Sequence, residues 1–148
     1  MNRILLAVDG SDHSERAARV AGDLSGGLGI PVDVVNVVSE GTLVNVGSMQ
    51  EYARAEQIAI NQRELLQALG ADLVVHAANI VREAGGHVKK TDVLIGAPAQ
   101  QIVHYAEDED IDCIVMGRRG LGDLGGILMG SVSHKVGHLT PRTLVTTE

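Results

Sequence analysis

Five short apolar runs punctuate the chain, at positions 4–8, 32–38, 88–95, 113–116 and 143–147. The run at 4–8 is continuous and rich in branched residues, as expected of a strand buried on both faces. Between the runs, apolar residues recur at helical spacing. Ala17, Val20, Ala21, Leu24 and Leu28 mark one face of a first helix. Ile58, Leu65, Leu66, Leu69, Leu73, Ala77 and Ile80 mark a long second helix over about 50–83. Ile102, Val103 and Ala106 belong to a third, and Val132, Val136 and Leu139 to a fourth. Strand and helix in strict alternation imply an α/β fold: an open parallel sheet of five strands, helices on both faces, right-handed crossovers. A chain of 148 residues suits a single domain, 1–148.

Local signals refine this outline. Ser11 or Asp12 can cap the first helix, with Glu15 at capping-box spacing from Asp12. Gly26, Gly27 and Gly29 should stop that helix, and Gly85-Gly86 the second. A straight second helix would run roughly 50 Å, longer than such a domain is wide, so a bend or break near Gly70 is expected. Pro98 fits a first helical turn, and Pro141 ends the last helix. The stretch 39–49, with Gly41 and Gly47, has no period and reads as a mobile loop or lid. The acids from Glu107 to Asp110 read as a solvated helix end.

Composition removes several functions. The chain has no Phe or Trp and only two Tyr, so the core is aliphatic and base-stacking platforms are missing. A formal charge of -7 argues against nucleic-acid binding. One cysteine, Cys113, suits a reducing compartment and reads as inert core. The N-terminal apolar run is too short for a signal peptide, and no run reaches the length of a membrane span, so a cytoplasmic protein away from membranes is expected.

The richest chemistry follows the fourth run. Gly117, Gly120, Gly122, Gly125, Gly126 and Gly130 lead to a helix start at Ser131, an expected N-cap. Glycines let backbone N–H groups converge on an anion, and a helix N-terminus adds donors and positive potential. Strand, glycine loop and helix in that order make a phosphate cradle. In an open parallel sheet the ligand sits beyond the C-terminal strand ends, where strand order reverses. If the first and fourth strands are neighbours, as in the order 3-2-1-4-5, Asp9 meets this loop. Asp9 can accept from a ribose hydroxyl, and it also fits a turn before Gly10. The backbone of Val37 could meet a base edge, with Val8 and Met116 forming an apolar slot; plain core is the other reading of Val37 and Met116. The 96–98 turn offers no polar group.

The spacing Gly117, Gly120, Gly130-Ser131 fits the G-x2-G-x9-G-[S/T] pattern of the ATP-binding universal stress proteins, which this chain resembles over nearly its whole length. The segments 4–11, 114–116 and 141–145 also match. The resemblance implies an adenine-nucleotide α-hydrolase-like fold with sheet order 3-2-1-4-5 and homodimers through the last strand, 142–147. It implies ATP, or ADP or AMP, as ligand, with Mg2+ able to bridge the phosphates. Asp9 would meet the ribose and the backbone of Val37 the adenine, with the small Ala7 lining the base pocket. Gly117, Gly120, Gly130 and Ser131 would hold the phosphates, joined by Val132 and Ser133. Arg118 and Arg119 depart from the usual small residue plus His or Arg; they can bind phosphate, face solvent or meet a dimer partner.

Other signals carry less. His134 and His138 are four apart, but a zinc site needs more ligands and the metalloprotease motif needs Glu where Lys135 stands. No Walker A lysine follows a glycine loop, and no serine sits in G-x-S-x-G. The apolar 127–129 segment reads as a turn folded on the last helix, or as a cover over the phosphates. The expected function is thus an adenine-nucleotide-binding stress-response regulator with no catalytic residue. A slow nucleotide hydrolase or transferase, with Asp9 as its candidate base, and a nucleotide-free dimeric interaction module are the alternatives.

Overall fold

The computed structural model describes residues 1–39, 49–121 and 129–148. Within 49–62 it describes only the side chains of Arg54, Glu56, Gln57 and Asn61. Residues 40–48 of the expected 39–49 lid, the side chain of Ile58, the glycines at 122, 125 and 126, and Ile127 and Leu128 lie outside the described residues.

The elements alternate as the apolar runs predict: β1 (Ile4–Ala7), α1 (Asp12–Leu28), β2 (Val32–Val38), α2 (Met49–Glu83), β3 (Val88–Ile95), α3 (Pro98–Asp108), β4 (Cys113–Gly117), α4 (Ser131–Leu139) and β5 (Thr143–Thr147). All five strands are parallel, in the order β3-β2-β1-β4-β5. Period-two alternation divides β1 between two cores. Ile4, Leu6 and Val8 pack with Ala17, Ala21, Ala77 and Val81 of α1 and α2. Leu5 and Ala7 pack with Ile102, Ala106 and Val136 of α3 and α4. Helices therefore cover both faces, and β1 is sealed between them.

The helices differ from expectation in instructive ways. α1 runs through Gly26 and Gly27 and ends at Gly29, whose φ of 68° makes a left-handed C-cap. A Cβ on Gly26 would lie 2.8 Å from the carbonyl of Gly85, so this glycine permits close helix approach rather than termination. α2 is unbroken at Gly70. A Cβ there would stand 2.7 Å from Asn36 Oδ1, so Gly70 marks where the helix presses on β2. The buried stripe of α2, among the described side chains, is Gly70, Val74, Ala77, Ala78, Ile80 and Val81. Leu65, Leu66 and Leu69, expected inside, are exposed, as are Leu28 and Leu139. A helix of this length, roughly 52 Å at 1.5 Å per residue, outruns the sheet it packs on. Its stretch Arg63–Glu83, of mean hydropathy 1.2, is long and apolar enough to pass as a membrane span, against the sequence expectation. Val74, Ala77, Ala78, Ile80 and Val81 of that stretch are buried against the sheet, while Leu65, Leu66, Leu69 and Val75 are exposed.

A charged network closes the N-terminal edge of the sheet. Asp33, fully buried in β2, accepts from Arg3 Nη2 at 2.5 Å and from the Tyr105 hydroxyl at 3.1 Å. Burial pushes the Tyr105 phenol up to about 12, so it stays a donor. Arg3 also reaches Glu109 Oε2 at 3.0 Å, and Lys90 reaches Glu109 Oε1 at 2.5 Å. Glu109 is thus tied to two cations, not part of a merely solvated helix end. The Lys90 hydrogen bond, then that of Arg3, holds its carboxyl below the usual range. Asp112 is held low in the same way by the backbone N–H of Asn2 and then of Arg3.

Two outcomes follow. Arg3→Met strands the buried Asp33 charge and is expected to cost about 3 kcal/mol, read from urea unfolding. Because the Glu109 and Asp112 carboxyls bind protons more weakly folded than unfolded, stability rises with pH through the carboxylate range. The urea midpoint should hold from about pH 7 to 5, fall below about pH 4, and fall less steeply in Glu109→Gln.

Candidate functional site

The site grows from the C-terminal end of β1. Past Ala7 the chain stays tied to β2: Val8 N donates to the Val35 carbonyl at 2.9 Å, and Asn36 Nδ2 donates to the Val8 carbonyl at 2.8 Å. Gly10, at φ 85°, then turns it into α1. Asp9 Oδ1 accepts from Ser11 N at 2.9 Å, which closes the turn. Ser11, not Asp12, caps α1: its hydroxyl accepts from Ser14 N at 3.2 Å, and Ser14 donates back to the Ser11 carbonyl at 2.9 Å. Glu15 makes no capping box; its carboxylate meets His76 at 3.0 Å.

One strand over, β4 ends at Gly117 against the start of α1. A Cβ on Gly117 would stand 2.8 Å from His13 Cβ and 2.9 Å from the His13 carbonyl carbon. Three residues on, a Cβ on Gly120 would stand 2.6 Å from Asp9 Oδ2. The same oxygen accepts from Leu121 N at 3.3 Å. The carboxylate after β1 therefore rests on the backbone after β4. The loop's two ends are pinned together. The Arg118 carbonyl accepts from Gly130 N at 2.7 Å and lies 2.7 Å from the Ser133 hydroxyl, which donates to it. Arg118 N donates to the Thr147 carbonyl at 2.7 Å, tying the loop to β5. The Arg118 guanidinium pairs with Glu148 at 2.6 Å.

α4 begins differently from expectation. Gly130 is the N-cap, with extended φ and ψ of -68° and 159° and no side-chain hydrogen bond; Ser131 is the first helical residue. No hydroxyl occupies the first amides of α4 from the capping position, so the helix start faces the loop uncapped. The N-cap of α3, Ala97, also lacks a side-chain bond, and Pro98 follows in its first turn.

These parts enclose a cavity of about 370 Å³. Ala7, Val8 and Met116 form its floor with Val37, and Asp9 stands beside them. Gly117, Arg118, Arg119 and Gly120 line one side, and Gly130, Ser131, Val132 and Ser133 another. All thirteen residues singled out in the sequence meet here. Six more line the cavity: Ser14, Val35, Ser39, Pro98, Ile102 and Leu121. Val35 shares a face with Val37 by strand period, and Ile102 shares one with Pro98 by helix period, so both were within reach of pattern reasoning. Pro98 adds an apolar side chain to the lining, in keeping with a 96–98 turn that offers no polar side chain. One carboxylate, two guanidinium groups and a helix start around an apolar floor can hold a ligand with a flat apolar end, hydroxyls and an anionic end.

The family model for "Universal stress protein family" matches residues 1–146. The chain belongs to the universal stress protein family. Universal stress protein YxiE of Bacillus subtilis is 29% identical over 94% of this chain and 93% of its own length. Among solved structures, hypothetical protein MJ0577 of Methanocaldococcus jannaschii superposes with a TM-score of 0.80 at 23% identity, covering 99% of this chain and 94% of that one. The universal stress protein from Archaeoglobus fulgidus in complex with dAMP superposes with a TM-score of 0.66 at 23% identity, covering 100% and 98%. At such identities the likeness speaks for the fold. Among universal stress proteins the fold is thus shared, while the cavity described above stands on this chain's own residues.

The two close glycines should respond differently. Gly117→Ala presses on α1 backbone and is expected to cost roughly 1–3 kcal/mol, as overpacking does. Gly120→Ala presses on a carboxylate tip alone, so parallel urea titrations should show a loss of about 1 kcal/mol or less.

Proposed function

We propose that the protein binds an adenine nucleotide in the 370 Å³ cavity and acts as a nucleotide-dependent regulator of the stress-response type, with ATP as its full ligand. One observation carries this reading: the Asp9 carboxylate and the pinned ends of the glycine loop open into the same cavity. Adenine would lie on Ala7, Val8, Val37 and Met116, against Pro98 and Ile102, with its edge on the Val37 backbone. The ribose hydroxyls would donate to Asp9. The phosphates would sit against Gly117, Gly120 and Gly130 and on the first amides of α4, 131–133, with Arg118 and Arg119 as counter-charges and Mg2+ as a further cation. The Archaeoglobus fulgidus relative in complex with dAMP supports the nucleotide class.

Among the described residues lining the cavity, Asp9 is the one carboxylate, and both its oxygens accept backbone amides. That supports binding rather than hydrolysis or transfer as the primary role. β5 is an edge strand with intermediate burial over most of its length, which supports pairing through 142–147 in a homodimer. The acidic charge and single cysteine support a reducing cytoplasm and a protein that leaves nucleic acid and membranes alone.

Isothermal titration with AMP, ADP and ATP, each with and without Mg2+, tests the reading. Affinity is expected to rise with phosphate count. Asp9→Ala should weaken all three roughly tenfold to a hundredfold, the worth of hydrogen bonds to a charged group. Absence of heat with every nucleotide, or Asp9→Ala binding as well as the parent, would reject it.

A further inference from the structure

We propose that α4 carries a second, two-histidine site for a tetrahedral divalent cation of borderline softness, with Zn2+ as the reference ion. His134 and His138 stand four residues apart, so both rings leave one face of the helix. This is the spacing with which helical histidine pairs grip zinc. The ring centroids are 4.5 Å apart at an interplanar angle of 81°, and the two Nε2 atoms are 3.3 Å apart. With metal–imidazole bonds of roughly 2.0–2.1 Å, neighbouring nitrogens of a tetrahedral complex stand about 3.3–3.4 Å apart. An octahedral ion with bonds of that length would need about 2.8–3.0 Å. The separation, which is that of the ring-to-ring hydrogen bond, also suits tetrahedral coordination without rearrangement, and imidazole favours zinc over magnesium or calcium. Without metal, one Nε2–H donates to the other Nε2. The ion takes the place of that proton bridge, each ring then keeping its proton on Nδ1.

Both rings are exposed, and among the described residues no group of three metal-ligating side chains forms, so water fills the remaining positions. His138 also lines a second cavity, of about 570 Å³, together with Lys135 and Gln100. That cavity gives an anionic third ligand a place beside His138, with Lys135 as a further positive charge. The histidines themselves lie outside the nucleotide cavity, but the second cavity shares Ser39, Pro98, Ser131 and Val132 with it, so zinc alone, without nucleotide, is the probe.

Titration of the full chain with zinc chloride in a non-chelating buffer is expected to show one ion per chain. His134→Ala and His138→Ala each remove half of the chelate and should weaken binding roughly a hundredfold. His104→Ala, on the exposed side of α3, should leave it unchanged. Alanine is the better helix former, so both variants stay folded, which circular dichroism verifies. Cobalt(II) should give the intense visible bands of tetrahedral coordination with the parent chain and lose them with either variant. Undiminished zinc affinity in either histidine variant, no measurable binding by the parent, or a weak octahedral cobalt spectrum overturns the site.

Discussion

The placement of β1 between β2 and β4 governs everything else in this molecule. Its register aligns Ala7 with Val35 on one side and with Met116 on the other. Three chain segments consequently leave the sheet at one level. The first carries Asp9, the second Val37 and the third the glycine loop. None of these residues is near another in sequence: Asp9 and Leu121 are separated by 112 positions yet share a hydrogen bond. Parallel pairing requires helical crossovers between the strands, so the helices that complete the cavity, α3 and α4, come with the sheet.

The two ends of the sheet use polar groups in opposite ways. At the N-terminal edge, Arg3, Asp33, Lys90, Tyr105 and Glu109 pair with one another, with only Arg3 Nε and Asp33 Oδ1 among their described buried atoms lacking a partner. Buried charges tolerate this only when paired. At the C-terminal edge the capping positions of α3 and α4 hold Ala97 and Gly130, neither of which offers a side chain to the first turn. Stability concentrates at the closed end. Binding capacity is concentrated at the end whose donors were left unmet.

How much of this was legible in the sequence follows from the range of each cause. Strand runs and helix faces are local, and all nine elements lie close to where apolar period put them. Gly70 misled because a helical glycine looks like a break, while its reason here is contact with Asn36 of another element. Leu65, Leu66 and Leu69 misled for a related reason: period identifies a face, but only the extent of the sheet decides how far along that face burial continues. Ser131 looked like a cap because Ser is a preferred N-cap, yet the extended backbone falls one residue earlier, at Gly130. That these residues meet at one cavity was legible because glycine spacing and strand-end position are sequence properties once a strand order is assumed. Arg3 and Asp33 were not, since nothing local pairs residues thirty positions apart.

The cavity's charge arrangement also sets a direction for any anionic ligand. The chain carries a formal charge of -7 and places Asp9 at the cavity itself. A phosphate oxygen about 4 Å from that carboxylate would be repelled by about 4 kcal/mol at an effective dielectric constant near 20. A phosphate-bearing ligand would therefore turn its anionic end toward Arg119 and the start of α4 and leave a hydroxyl-bearing group beside Asp9. Arg118 is the remaining variable. Its guanidinium is engaged by Glu148, whose side chain is 79% exposed, and such surface pairs contribute at most about 1 kcal/mol. Under the proposed reading, one phosphate near Arg118 would compete with Glu148 on nearly equal terms, and a longer polyphosphate, with more charge than a single carboxylate, would draw Arg118 from Glu148 toward the ligand. The end of β5, which holds Arg118 N through the Thr147 carbonyl, lies next to that exchange.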